Sequence, residues 1–136
     1  MNKGEREMIP SILIIEDEKN LRAVEASVLR HRGHKVWTAQ DGEEGLALLA
    51  EHHPDVVLCD IRMPVMDGIV FLKRKKRLKD TTPVIVMTAV AETEIMADAI
   101  QLGAVDYLVK PVSVQDLVEL IELVHQKRCR GDIALT

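Results

Sequence analysis

Aromatic side chains are almost absent from this chain. Trp37, Phe71 and Tyr107 are its only tryptophan, phenylalanine and tyrosine. That excludes a stacking platform for single-stranded nucleic acid, which sets successive rings along a basic groove. Positive charge is not in excess either. Eighteen Lys and Arg against 22 Asp and Glu leave a formal net charge of -4, so there is no global basic signal for nucleic acid. Long hydrophobic runs are missing, since no apolar stretch approaches the ~18 residues that a membrane-spanning helix needs. The opening MNKGEREMIP is polar and charged, unlike a signal peptide. Cysteine is scarce. Cys59 lies inside an apolar run, Cys129 lies near the C-terminal end, and neither has a partner at metal-ligand spacing. No disulfide framework follows, the natural compartment is a reducing cytoplasm, and Cys59 reads as a small core residue rather than a reactive thiol. Neither G-x-G-x-x-G nor G-x-x-x-x-G-K-[ST] occurs, so the usual nucleotide-binding loops are absent.

What the chain does have is alternation. Its 136 residues, 47% hydrophobic and 29% charged, suit one soluble domain with a real core. Five short runs stand out: ILII (12–15), KVWTA (35–39), DVVLC (55–59), PVIVMT (83–88) and AVDYLV (104–109). All but the second are strongly apolar. Amphipathic segments follow each run. Leu21, Val24, Val28 and Leu29 mark the first helix, which Gly33 stops. Asp41 with Glu44 forms a capping box for the second, which turns Leu46, Leu49 and Ala50 inward. Ile69 and Leu72 begin the third. Thr93 caps the fourth, with Met96, Ala99 and Ile100 inward and Gly103 at its end. Ser113 with Asp116 opens the fifth, whose Leu117, Leu120, Ile121 and Val124 recur at helical spacing. Alternation of this kind predicts an α/β fold, a parallel five-stranded sheet with helices on both faces. No internal repeat, linker or domain boundary interrupts it. The expected layout is a flexible lead-in over 1–10, one domain over 11–128 and a tail over 129–136, too short for an output domain.

In an open α/β sheet, ligands bind outside the carboxyl ends of the strands. Four of the five runs end in chemistry. ILII runs into Glu16-Asp17-Glu18, DVVLC into Asp60, PVIVM into Thr88 and DYLV into Lys110-Pro111. Carboxylates brought together resist ionising together, and a hard divalent cation relieves that conflict. A hydroxyl and an amine opposite them suit an anion held against the metal. Carboxylates, Mg2+, Thr88 and Lys110 together make a phosphoryl-transfer site, with the central Asp60 as the nucleophile that becomes an aspartyl phosphate. Blander roles stay open residue by residue. Glu16 and Asp17 could cap the first helix, Asp67 could cap the third, and Lys110 could be a loop lysine.

The segments ILIIEDE, LCDIRMPVMDG, VIVMTA and GAVDYLVKP, in that order, resemble the receiver domain of two-component response regulators, over Ile12 to about Val124. The resemblance implies a flavodoxin-like fold with strand order 2-1-3-4-5. It implies Glu16 and Asp17 as the acidic pair that binds Mg2+, Asp60 as the phosphoacceptor and Arg62 as a further metal ligand through its backbone carbonyl. It also implies Thr88 and Lys110 as phosphoryl contacts, Tyr107 as an aromatic switch and a cis bond before Pro111. The implied donor is a sensor histidine kinase or a phosphotransfer protein. The implied output surface is the fourth helix, fifth strand and fifth helix, through which a homodimer could form. Neither direct nucleic-acid binding nor membrane contact is expected. The stretch VIVMTAVAETEIMADAIQLGAVDYLVKP is similar to receivers attached to AAA+ and helix-turn-helix transcription activators, an analogy that fixes no output.

The rival from the enzyme class is a Mg-dependent aspartate-nucleophile phosphatase or phosphotransferase. Such an enzyme places a second acid two residues after its nucleophile, where this chain has Arg62, a group that cannot protonate a leaving group. The expectation is therefore a signalling module that assists its own phosphorylation, not a turnover enzyme. The basic run Lys73-Arg74-Lys75-Lys76-Arg77 is read as a solvated helix face with snorkelling side chains.

Overall fold

The apolar runs become strands because almost every position in them is inaccessible to water. In a computed structural model, which describes residues 9–61, 67–89 and 93–131, β1 (Ile12–Ile15), β3 (Val56–Asp60) and β4 (Val84–Thr88) are buried at every residue. Strands covered on both faces have no polar alternation to show. β2 (Val36–Ala39) and β5 (Asp106–Val109) are only partly buried, as edge strands are, and each is shorter than the run that announced it. Five helices intervene: α1 (Lys19–His31), α2 (Gly42–His52), α3 (Gly68–Arg77), α4 (Thr93–Gln101) and α5 (Val114–Cys129). All the strand pairs are parallel and the order is β2-β1-β3-β4-β5, as expected.

Side chains alternate across the sheet, so each strand feeds two cores. Leu13, Ile15, Val57, Cys59, Val84 and Val86 meet Leu46 and Leu49 of α2, Phe71 and Leu72 of α3 and Ala99 of α4. Ile12, Ile14, Val56, Leu58, Ile85 and Met87 meet Ala26 and Leu29 of α1 and Leu117, Ile121 and Val124 of α5. Caps fall where the sequence puts them. Asp41 accepts from the Glu44 amide, Asp67 from Val70 and Ser113 from Asp116. The Thr93 cap lies outside the described side chains. Packing starts at Pro10, within the stretch assigned to the lead-in, where the buried carbonyl meets His34 Nδ1 at 2.7 Å.

Two inward assignments, Ala50 and Ile100, fail, and Val24, which marks the first helix, faces out as well. Val24 and Ile100 are exposed, at 58% and 45%, and Ala50 is also exposed. α2 and α4 are short helices that bury one narrow stripe, so the residue beside a buried Leu49 or Ala99 turns outward. The basic run needs a correction as well. Lys73, Arg74, Lys76 and Arg77 are exposed, but Lys75 is only 7% exposed. It occupies the place where the stripe from Leu72 should continue. Its ammonium donates to the Asp80 carbonyl at 3.0 Å and pairs with the Asp80 carboxylate at 3.2 Å.

Candidate functional site

The topology brings four strand ends to one rim. β1 lies between β2 and β3, so the chain leaves it in one direction and returns on the other side, and a crevice opens outside the ends of β1 and β3. Glu16 and Asp17 follow β1. The Glu16 amide donates to the Ala39 carbonyl at 3.0 Å, and Arg22 of α1 donates to the Glu16 carbonyl at 2.7 Å, which fixes this corner from both sides. Glu18, not Glu16 or Asp17, caps α1 by accepting from the Asn20 and Leu21 amides. The two preceding acids are thus left for other work.

Asp60 is the last residue of β3, still in register with Met87 of β4. Behind it the chain must pass close to the start of α3. Gly68 donates its amide to the Ile61 carbonyl at 2.8 Å, and a Cβ at Gly68 would stand 2.7 Å from the Ile61 Cα and 3.0 Å from the Asp60 carbonyl oxygen. Only glycine permits that approach. Arg62, the expected carbonyl ligand, lies outside the described residues. Thr88 ends β4 and is 2% exposed. The Lys110 amide donates to the Thr88 carbonyl at 2.7 Å, and the Lys110–Pro111 bond is cis, as the resemblance implied.

Lys110 draws these ends together. Its ammonium donates to Glu16 Oε1 at 2.6 Å and to Asp60 Oδ2 at 2.9 Å, across 94 and 50 residues of chain. Glu16 is wholly buried and Asp60 is 8% exposed. Burial, reinforced by the neighbouring Asp60 carboxyl and opposed by Lys110, pushes the Glu16 carboxyl up to about 8. Burial alone would lower the Lys110 ammonium, but its bonds to Glu16 and Asp60 outweigh that and raise it. One oxygen of each of Glu16, Asp17 and Asp60 can be found within 4.8 Å of the others. Glu16 Oε2 is buried with no hydrogen-bond partner. An orphaned carboxylate oxygen beside two further carboxylates is a donor set that fits a hard divalent cation.

Tyr107 is 41% exposed on β5. The register pairs Val86 with Tyr107 and Thr88 with Val109, so Thr88 and Tyr107 share a sheet face, the one covered by α4. Cys59 is fully buried and its thiol is pushed far up by burial, which makes it an inert core residue. Sequence reasoning missed Glu25. It lies on α1 four residues from both Leu21 and Leu29, and both of its carboxylate oxygens are buried without a hydrogen-bond partner. Its placement on the apolar stripe was the available signal.

Comparison with known proteins converges on one description. The family model for the response regulator receiver domain matches residues 12–122. The regulatory protein AtoC of Escherichia coli (strain K12) is 43% identical over 114 residues, covering 84% of this chain and 25% of the relative. The transcriptional regulatory protein ZraR of Salmonella typhimurium is 36% identical over 124 residues, 90% of this chain and 28% of the relative. The chain therefore spans about a quarter of the length of these curated relatives. Among solved structures, a CheY-like response regulator receiver domain protein from Methanospirillum hungatei JF-1 matches with a TM-score of 0.85 at 28% identity, covering 90% of this chain and 98% of that one. The Francisella response regulator 1452 receiver domain matches with a TM-score of 0.82 at 30% identity, covering 88% and 98%.

Proposed function

The chain belongs to the response regulator receiver domain family, and from that premise we propose that it accepts a phosphoryl group on Asp60 from the phosphohistidine of a sensor histidine kinase or a phosphotransfer protein. The observation that carries this reading is the single ammonium of Lys110 held between Glu16 and Asp60 at the ends of β1 and β3. An Asp60 carboxylate oxygen attacks phosphorus, the phosphorus–nitrogen bond breaks, and its electron pair returns to the histidine ring. Lys110 stands within reach of the phosphoryl oxygens that this step brings in, and Thr88 offers a hydroxyl from the next strand end. Glu16, Asp17 and Asp60 would hold Mg2+, with the Arg62 carbonyl as a further ligand. Bound there, the ion supplies positive charge for the clustered carboxylates and the incoming oxygens.

Thr88 and Tyr107 on one sheet face support a readout in which the Thr88 hydroxyl moves to the phosphate and Tyr107 turns inward. The surface of α4, β5 and α5 then changes, and it meets an output partner or a second copy of the chain. We assign the chain a signalling role over 11–128 rather than enzymatic turnover, in the cytoplasm, with no direct contact with nucleic acid. Among the described residues no helix is long and apolar enough to cross a membrane. Relatives about four times as long favour a receiver that serves a larger transcription regulator.

Intact-mass analysis after acetyl phosphate treatment tests the reading. Wild type with Mg2+ should gain one phosphoryl group, and neither Asp60→Asn nor wild type in excess chelator should gain it. Phosphate appearing on Asp60→Asn would refute the assignment. Continuous release of phosphate from the donor at an enzyme's rate would favour the phosphatase instead.

A further inference from the structure

The end of the domain opposite the rim, where α5 finishes beside the starts of β3 and β4, holds a pair of side chains that the phosphoacceptor site does not use. α5 carries His125 and Cys129 four residues apart, so both project from one helix face. Cys129 Sγ stands 3.7 Å from His125 Nε2. Cys129, read from the sequence as without a partner at metal-ligand spacing, therefore has one on its own helix. The imidazole is 6% exposed, whereas the thiol is open to solvent. Both residues line a cavity of about 360 Å³ whose other walls carry His53, Asp55, Asp80 and Arg128. The Arg128 guanidinium donates to the Asp55 carbonyl at 2.9 Å, and two carboxylates stand in the same walls against its charge.

We propose that His125 and Cys129 form a binding site for Zn2+, separate from the carboxylate rim at the other ends of the strands. The spacing of the two ligand atoms suits the ion. With a Zn–S bond of ~2.3 Å and a Zn–N bond of ~2.05 Å, atoms 3.7 Å apart subtend about 115° at the metal, close to the tetrahedral angle. The same four-residue step places two histidines on one zinc ion in helical H-E-x-x-H sites. Ligand type then sorts the ions. Thiolate and imidazole favour Zn2+, whereas Mg2+ and Ca2+ take oxygen ligands of the kind the rim offers. Among the described residues no third His, Cys, Asp or Glu completes a cluster with this pair, so water from the cavity takes the remaining coordination positions. Binding forms one Zn–S and one Zn–N bond. The thiol gives its proton to solvent, and the imidazole uses its Nε2 lone pair with its own proton on Nδ1. The buried ring is fixed before the ion arrives, which lowers the cost of ordering the chelate.

Co2+ is the first probe, titrated into the whole chain with excess Mg2+ and a phosphine reductant. Cobalt bonded to a thiolate gives a sulfur-to-metal charge-transfer band, which the carboxylates of the rim cannot give. Wild type should develop that band, and Zn2+, which binds such sites more tightly than Co2+, should bleach it. Cys129→Ser, a change at an exposed position, should lose the band. His125→Gln should weaken Co2+ binding by at least about tenfold, since losing even a group that only orients a ligand costs about that much. His125 is buried, so circular dichroism and acetyl phosphate labelling of Asp60 check that this variant is folded, and they report on the receiver reading separately. Cys129→His keeps a two-ligand chelate without sulfur. Zn2+ should therefore still shift the His125 ring signals in Cys129→His, with no charge-transfer band from Co2+, and leave them in place in Cys129→Ser. No band in wild type, a band that survives in Cys129→Ser, wild-type affinity in folded His125→Gln, or unmoved His125 signals in Cys129→His would overturn the proposal.

Discussion

Replacing Glu16 with glutamine should stabilise the metal-free protein, by an amount that grows with pH. Glu16 is wholly buried, and its carboxyl is raised from 4.5 to about 8, by burial first and by Asp60 next. A raised pKa in the folded state means that this group's contribution to stability is fully present below 4.5 and is lost as pH rises through about 8. At neutral pH the unfolded chain carries Glu16 ionised, whereas the folded chain holds it largely protonated. From 4.5 to 7, at about 1.4 kcal/mol per unit, folding then gives up about 3 kcal/mol. A glutamine side chain cannot ionise and avoids that loss. Its amide oxygen can still accept from the Lys110 ammonium, but its NH2 group would sit buried where Glu16 Oε2 has no partner, a cost of about 1 kcal/mol. The net expectation is that Glu16→Gln is more stable than wild type by about 2 kcal/mol near neutrality and close to equal to it at about pH 5. Urea melts in chelator across this range measure the difference between the two proteins, in which the titrations of groups away from the site cancel. Excess Mg2+ should reverse the order, because an ion that binds only the folded wild-type site adds stability the variant cannot gain. A difference that stays constant from about pH 5 to 8, or a variant less stable than wild type at the upper end, would refute the assignment of Glu16 as a buried acid whose ionisation folding opposes.

Two further substitutions test the frame around the site. Gly68→Ala should cost about 1–3 kcal/mol in urea melts, because its new Cβ would meet backbone of Ile61 at 2.7 Å and not a side chain that can turn away. It should also slow labelling by acetyl phosphate, since the displaced atoms adjoin Asp60, and a fully wild-type variant would show that the close approach is not required. At the opposite end of α3, Asp80→Ala should cost about 3 kcal/mol by leaving the Lys75 ammonium buried and unpaired, whereas Lys75→Met should stay within about 1 kcal/mol of wild type. Equal losses in both variants would show that the pair itself, and not the stranded charge, sets the cost.

The legible parts of this molecule share a physical cause. Strands buried on both faces read as short apolar runs, so β1, β3 and β4 were plain, and the residues that interrupt those runs had to lie at strand ends. That was enough to bring Glu16, Asp60, Thr88 and Lys110 to one rim before any distance was known. Edge strands are half wet, so β2 and β5 mix buried and exposed positions, and their runs overstate them at the start, by Lys35 in one and by Ala104 and Val105 in the other. Lys75 and Glu25 were illegible for the opposite reason. Each is a charge at a position where helical periodicity calls for an apolar side chain, and periodicity alone cannot tell a snorkelling residue from a buried one. Lys75 is buried because the Asp80 carbonyl and carboxylate come back over it. The Glu25 oxygens are buried beside a groove that Val112, Val114 and Leu117 also line, residues far from it in the chain. Neither partner can be read from the spacing on the helix that bears the charge.

The proposed phosphoacceptor role would make the rim a switch through Lys110. Lys110 is the only ammonium bonded to Glu16 and Asp60 among the described residues, and it bonds both at once. A proton on Glu16 and the Lys110 ammonium together hold the three acids in check when no ion is bound. Glu16, Asp17 and Asp60 would hold a divalent cation, which would supply there the positive charge that Lys110 supplies without it. A phosphoryl group on Asp60, as proposed, would add nearly two negative charges and three acceptor oxygens at neutral pH. Lys110, already positioned by the carbonyl of Thr88 through its own amide, is the cation nearest to them. Because that amide ties the end of β5 to the end of β4, a shift of Lys110 toward a phosphate would, in the proposed readout, pull on the strand end that carries Thr88, on the sheet face that Tyr107 shares. A phosphate could bias the proposed α4–β5–α5 surface only by the difference in its contacts between the two states, and the proposed readout assigns that difference to these two strand ends.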